Sequence, residues 1–108
     1  MQNLWKLPPD TGEEVTQLLC SGAHTRIERI VSTGQASPPD FWYDQQEDEW
    51  VLLASGEAVL RFEDRECRLQ AGDCLLIPAH VKHRVEFTSS QPPCVWVCVF
   101  GNFQEPGI

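Results

Sequence analysis

The sequence predicts an all-β fold, a small barrel or sandwich with an interior pocket, and three observations lead to it. Prolines and glycines cut the chain into short segments, at Pro8-Pro9, Gly12, Gly22, Gly34, Pro38-Pro39, Gly56, Gly72, Pro78, Pro92-Pro93 and Gly101, and almost no gap between them can hold a long helix. The segments themselves are rich in β-branched and aromatic residues, the composition of strands. Two of them, Glu49 to Gly56 and Gly72 to His83, each carry one ligand-type side chain on an apolar strand-like run. Many short strands at regular spacing mean a closed or layered β architecture.

Taken in order, the first element is ambiguous. Asp10 and Thr11 followed by Glu13 and Glu14 resemble a helix start over Asp10 to Leu19, and a strand over Val15 to Cys20 fits as well. Strands are then expected at Arg26 to Val31, Trp50 to Ala54, Ala58 to Phe62, Glu66 to Leu69, Cys74 to Ile77, Arg84 to Thr88 and Val95 to Phe100. In the second of these eight elements alternation breaks, because Ile27 and Val31 share a face with Arg29 while Ile30 shares one with Glu28. Either Arg29 lies at a rim with its stem packed, or Arg29 or Glu28 lines the pocket as a polar anchor.

A period of two also assigns faces further along. Glu49 lies with Val51 and Leu53, opposite Trp50, Leu52 and Ala54, so both faces are apolar and the inner one is ambiguous. A carboxylate facing inward would require a partner, a proton or a cation, since an isolated buried one costs several kcal/mol. After His83, Val85 and Phe87 share its face while Arg84, Glu86 and Thr88 take the other, which points His83 inward. The last strand is apolar on both faces, and an outer face carrying Trp96 and Phe100 would need cover.

Composition bounds the rest. A chain of 108 residues, 42% apolar and 22% charged, fits one globular domain with a real core. No apolar run reaches the roughly eighteen residues of a membrane span, and Met1-Gln-Asn-Leu-Trp-Lys6 lacks the layout of a secretion signal. A cytoplasmic protein with no membrane partner is expected. Sixteen acidic residues against eight basic ones give a net charge of −8, which disfavours nucleic acid. The five cysteines, Cys20, Cys67, Cys74, Cys94 and Cys98, are odd in number and have no Cys-x-x-Cys spacing, so reduced, buried thiols are expected.

With these elements in place, the chain resembles the cupin superfamily from about Gly34 to Phe100. That family's second motif, Gly-x5-Pro-x-Gly-x2-His-x3-Asn, is matched by Gly72, Pro78 and His83, with His80 at the second glycine and Phe87 at the asparagine. Its first motif, Gly-x5-His-x-His-x3 or 4-Glu-x6-Gly, is matched by Gly34, Glu49 and Gly56. The paired histidines are missing, and the alternative spacings put either Trp42 and Asp44 or Tyr43 and Gln45 in their places.

The resemblance implies a jelly-roll β-barrel, a double-stranded β-helix, with residues 34–101 as its core, residues 1–33 completing it and residues 102–108 as a tail. It also implies a metal at the barrel centre, usually held by three imidazoles and a carboxylate. Carried over residue by residue, Glu49 and His83 remain as ligands, and Asp44 or Gln45 could complete an oxygen-rich set suited to Mn, Fe, Ni or Zn. No nucleotide cofactor is expected. Tyr43 and His80 are the proton-transfer candidates, with Phe41, Trp42 and Tyr43 as an aromatic approach to the pocket. Pairing is common among cupins, so a homodimer is expected.

Two functions compete. One is a metal-dependent oxygenase, isomerase or lyase acting on a small polar organic molecule; the other is a non-catalytic module that binds or senses such a ligand without metal. No nucleophile–base pair is visible, which disfavours covalent hydrolysis.

Overall fold

The computed structural model describes residues 1–106 and contains eight strands and no helix among them. They are β1 Val15–Ser21, β2 Arg26–Ser32, β3 Asp48–Ser55, β4 Glu57–Phe62, β5 Glu66–Gln70, β6 Cys74–Ile77, β7 His83–Thr88 and β8 Cys94–Gly101. All pairings are antiparallel, in a five-stranded sheet ordered β1-β2-β8-β3-β6 and a three-stranded sheet ordered β5-β4-β7. The two sheets close on one another as a jelly roll. The ambiguous first element is a strand, zipped onto β2 from Val15↔Val31 to Ser21↔Arg26.

The core lies between the sheets. Val51 and Leu53 of β3, Leu60 and Phe62 of β4, and Cys94, Trp96, Cys98 and Phe100 of β8 all belong to one buried cluster. The inner face of β8 therefore carries Trp96 and Phe100, each 4% exposed, which decides a side that two apolar faces left open. Val97 and Val99 take the outer face beside half-buried Trp50 and Leu52. Apolar residues on both sides of β8 left the choice open, and the larger rings fill the larger interior volume.

Phe87 corrects an expected facing. It was expected to share the face of His83, yet it is 49% exposed while Thr88 is buried. The β4–β7 register runs Phe62↔His83, Arg61↔Arg84, Leu60↔Val85 and then Val59↔Phe87, so Glu86 is an extra residue on β7. Such a bulge inverts the facing of everything after it.

Two turns need their glycine or a substitute for it. Gly56, between β3 and β4, has φ +89°, and a Cβ there would come within 2.8 Å of Cys94 Sγ and 2.9 Å of Pro93 O. His80 has φ 65°, a left-handed conformation that non-glycine residues adopt at a cost, and it stands where the resembled motif has its second glycine.

Arg29 is neither at a rim nor in the pocket. It is buried on the outer side of β2, opposite Gln17 and Val97. Its guanidinium donates to Gln17 and to the carbonyls of Asn3 (3.1 Å), Leu4 (3.1 Å) and Lys6 (3.0 Å), which binds the N-terminal segment to the sheet. The cysteine expectation holds in part: all five are free thiols, with Cys94 and Cys98 buried, but Cys20 and Cys74 are exposed. No helix among the described residues is long and apolar enough to cross a membrane.

Candidate functional site

A cavity of about 240 Å3 opens between the sheets, and Glu49 and His83 are both in its wall. Glu49 enters from β3 on the same face as Val51 and Leu53, and it is 8% exposed. His83 opens β7 and is 4% exposed. His83 Nε2 lies 3.7 Å from Glu49 Oε1. That is longer than a formed hydrogen bond, so neither group exhausts the other and both present polar atoms to the cavity.

The orientation of His83 is set by its surroundings. Nδ1 lies 3.0 Å from the Val81 carbonyl and donates to it, which turns Nε2 toward Glu49. The imidazole stacks on Tyr43 at 5.3 Å between centroids and 25° between planes, with Phe62 at 6.2 Å. A two-way backbone bridge holds Tyr43 in place, Tyr43 N to His83 O at 2.7 Å and His83 N to Tyr43 O at 3.2 Å. The loop that leads into β7 is pinned as well: Ala79 N donates to Asp48 Oδ1 (2.7 Å) and His80 N to the Gln45 carbonyl (2.8 Å).

His83, Tyr43 and Cys98 are shifted from their ordinary pKa values. Burial pulls the His83 pKa down, but the Glu49 carboxylate and the Val81 carbonyl outweigh it and hold the imidazole above its usual pKa. Burial, reinforced by Glu14, Glu49 and Cys98, raises the pKa of Tyr43 and keeps its hydroxyl a neutral donor. Burial followed by the field of Glu49 pushes the Cys98 thiol far up, so it is no nucleophile.

Asp44 and His80 do not join this group. They pair with each other, His80 Nδ1 to Asp44 Oδ1 at 2.9 Å, with side chains 45% and 65% exposed. This corrects the expected set of Asp44, Glu49 and His83. The reason is local: the Tyr43–His83 bridge turns Tyr43 inward, and alternation then sends Asp44 out and Gln45 back in. Tyr43 and Gln45, not Trp42 and Asp44, thus occupy the places of the two missing histidines, and both line the cavity.

Glu49 and His83 supply two donors, an amide and a phenol stand where imidazoles would, and no group of three or more His, Cys, Asp or Glu residues is placed to hold a metal ion among the described residues. These residues do not fit a three-imidazole, one-carboxylate centre.

Several lining residues escaped sequence reasoning. Glu14, Thr16 and Arg26 come from β1, β2 and the segment before them, outside the motif region, and Trp96, Cys98 and Phe100 come from the inner face of β8. Only Glu28 carried a signal, the charge forced inward by its register with Ile30. Arg26 is tied to Glu28 (3.3 Å) and Glu47 (2.6 Å) and lies 4.0 Å over the Phe100 ring.

Comparison with known proteins agrees with this architecture. The Cupin domain family matches residues 28–100. Among solved structures, a candidate mannose-6-phosphate isomerase from Ralstonia eutropha JMP134 is 40% identical, with a TM-score of 0.89, over 95% of this chain and 98% of that one. A cupin superfamily protein from Desulfitobacterium hafniense DCB-2 (18% identity, TM-score 0.75, 90% of this chain and 84% of that one) and KdgF from a Halomonas species (13%, 0.70, 84% and 82%) share the fold. No curated protein matches. With the family matched over two thirds of its length and a 40% identical relative along nearly all of it, the chain belongs to the cupin superfamily.

Proposed function

We propose that this chain is a one-domain cupin that binds a small polar organic molecule in its barrel, with Glu49 and His83 as the groups that hold it. The convergence of that pair inside the barrel carries the reading: a carboxylate and an imidazole from opposite sheets stand 3.7 Å apart in the wall of one cavity. The cavity is below the roughly 300–1,000 Å3 of sites for drug-sized ligands, which limits the ligand to a smaller molecule. Density at the cavity of protein crystallised straight from cells tests it. An organic molecule touching both Glu49 and His83 supports the reading; ordered water alone, with no small molecule recovered by native mass spectrometry, overturns it.

A second reading, an isomerase or lyase, is favoured by one observation: an imidazole held above its usual pKa faces a carboxylate, which is an acid and a base on one ligand. The name of the Ralstonia relative supports the isomerase form. Tyr43 would then be a third, neutral donor. Incubation with mannose or mannose 6-phosphate in deuterated water tests it by loss of the C2 proton signal, which Glu49→Gln should abolish. The reading as a homodimer is supported by the outer face of the five-stranded sheet, where Trp50, Leu52, Val97 and Val99 are only half-buried; light scattering during size exclusion checks it.

A further inference from the structure

The charges that face the cavity are unequal. Its wall carries three carboxylates, Glu14, Glu28 and Glu49, and one permanent cation, Arg26. That cation is already committed, to Glu28 on one side, to Glu47 on the other and to the Phe100 ring beneath it. His83, the second basic group, is answered by Glu49. Glu14 then remains without a basic partner among the described residues: Ser32 Oγ donates to it at 2.8 Å and in turn accepts from Trp96 Nε1 at 3.2 Å, which fixes the carboxylate in place. The three acidic groups share one volume, since all of them line the same cavity, and their field also raises the Cys98 thiol after burial.

Such a wall is unsuited to phosphate. Anion sites are built from free Arg or Lys donors or from helix N-termini; here the one arginine is doubly engaged, no lysine lines the cavity, and the described residues form no helix. Aromatic side chains do line it, Tyr43, Trp96 and Phe100. Phe100 already lies under Arg26 and Tyr43 stacks on His83, which leaves Trp96 as the ring beside the carboxylates, and carboxylates with an aromatic ring suit an organic ammonium group. We propose that the ligand is a small organic cation, an amine whose charge sits against Glu14 while its body extends toward Trp96 and the Glu49–His83 pair. This rests on the reading of the cavity as a ligand site, and it departs from the phosphorylated sugar in the name of the Ralstonia relative.

The test uses two matched series, mannosamine, mannose and mannose 6-phosphate, and cyclohexylmethylamine, cyclohexylmethanol and cyclohexanecarboxylate. Binding is followed through the indole N–H signal of Trp96 in 15N spectra. The amine should bind tightest in at least one series and exceed its anionic counterpart about ten-fold. Its advantage should shrink with added salt and in Glu14→Gln. An anion or neutral member that equals or exceeds the amine in both series overturns the proposal and leaves the cavity as a ligand site. If no probe moves the Trp96 signal at tens of millimolar, the ligand-site reading falls along with it.

Discussion

Glu49 and His83 belong to different sheets, and the barrel buries both and brings them to 3.7 Å from each other. Neither strand alone has a reason to bury its charge. Each depends on the other's presence, which makes the proton on His83 a direct reporter of the site.

That dependence has a sign. With its folded pKa raised above the ordinary 6.5, protonated His83 contributes stability that is complete below pH 6.5 and is lost as pH climbs through the folded pKa. In Glu49→Gln the opposing influence, burial, is left with only Val81 against it, and the pKa should fall. NMR titration of the imidazole protons reads both: a midpoint above 6.5 in the wild type, lower in the variant. An unchanged midpoint would mean the pair is not electrostatically joined.

His80 stands in a left-handed turn with its side chain exposed and paired to an exposed Asp44. Relief of the backbone cost, roughly 1–2 kcal/mol for a residue with a Cβ, should exceed the loss of a surface pair worth at most about 1 kcal/mol. His80→Gly is therefore expected to unfold at equal or higher urea concentration than the wild type. It should also leave ligand affinity unchanged, because the side chain is outside the cavity; a loss of binding would restore His80 as a site residue.

Gly56 makes the opposite case. Any side chain there meets Cys94 and the Pro93 carbonyl below 3.0 Å, in a backbone conformation that already disfavours it. Gly56→Ala should cost more than about 2 kcal/mol in chemical denaturation, whereas Gly72→Ala, with open space around it, should cost only its φ strain.

Where sequence reasoning succeeded and where it failed follows from how strongly each position was constrained. Strands β2 to β8 were legible because turn residues bracket them and because a period of two is hard to mistake where one face is polar. Trp96 and Phe100 could not be assigned a side because both faces of β8 are apolar. Phe87 was misplaced because the bulge at Glu86 leaves no mark in the residue types. In the site, Glu49 and His83 were tied to glycines at fixed spacing. Asp44 competed with Gln45 on spacing alone, and only the backbone bridge of Tyr43 with His83 decides between them. Arg26 and Glu14 could not be found at all, since their place in the wall depends on how β1 and β2 close against β8.

Arg29 should matter for the N-terminal segment and not for the cavity. Its guanidinium satisfies three carbonyls and Gln17 on the outer face, and hydrogen bonds from a charged donor contribute about 1.5–3 kcal/mol each when their loss strands a partner. Arg29→Met should raise amide exchange and protease cleavage in residues 3–6 by more than it alters binding of any cavity probe. Equal protection in the variant would show that the segment is held by other contacts.

The last prediction concerns metal. If Tyr43 and Gln45 occupy the places of two imidazoles, the wild type presents two donors, and added Mn, Fe, Ni or Zn should leave its melting temperature where it was. Tyr43→His combined with Gln45→His would complete three imidazoles with the Glu49 carboxylate on the same wall, a set that suits divalent transition metals. Because a ligand of the folded state stabilises it by RT ln(1 + [L]/Kd), about 2.7 kcal/mol at a hundred-fold excess over Kd, the double variant should gain several degrees with Ni or Zn and retain stoichiometric metal through gel filtration. Tyr43 also stacks on His83, so the metal-free double variant should be less stable than the wild type, and the gain is read against its own metal-free state. Stoichiometric metal in the wild type, lost on Glu49→Gln, would instead show that two protein donors and solvent suffice and that the substitutions at 43 and 45 did not remove the centre.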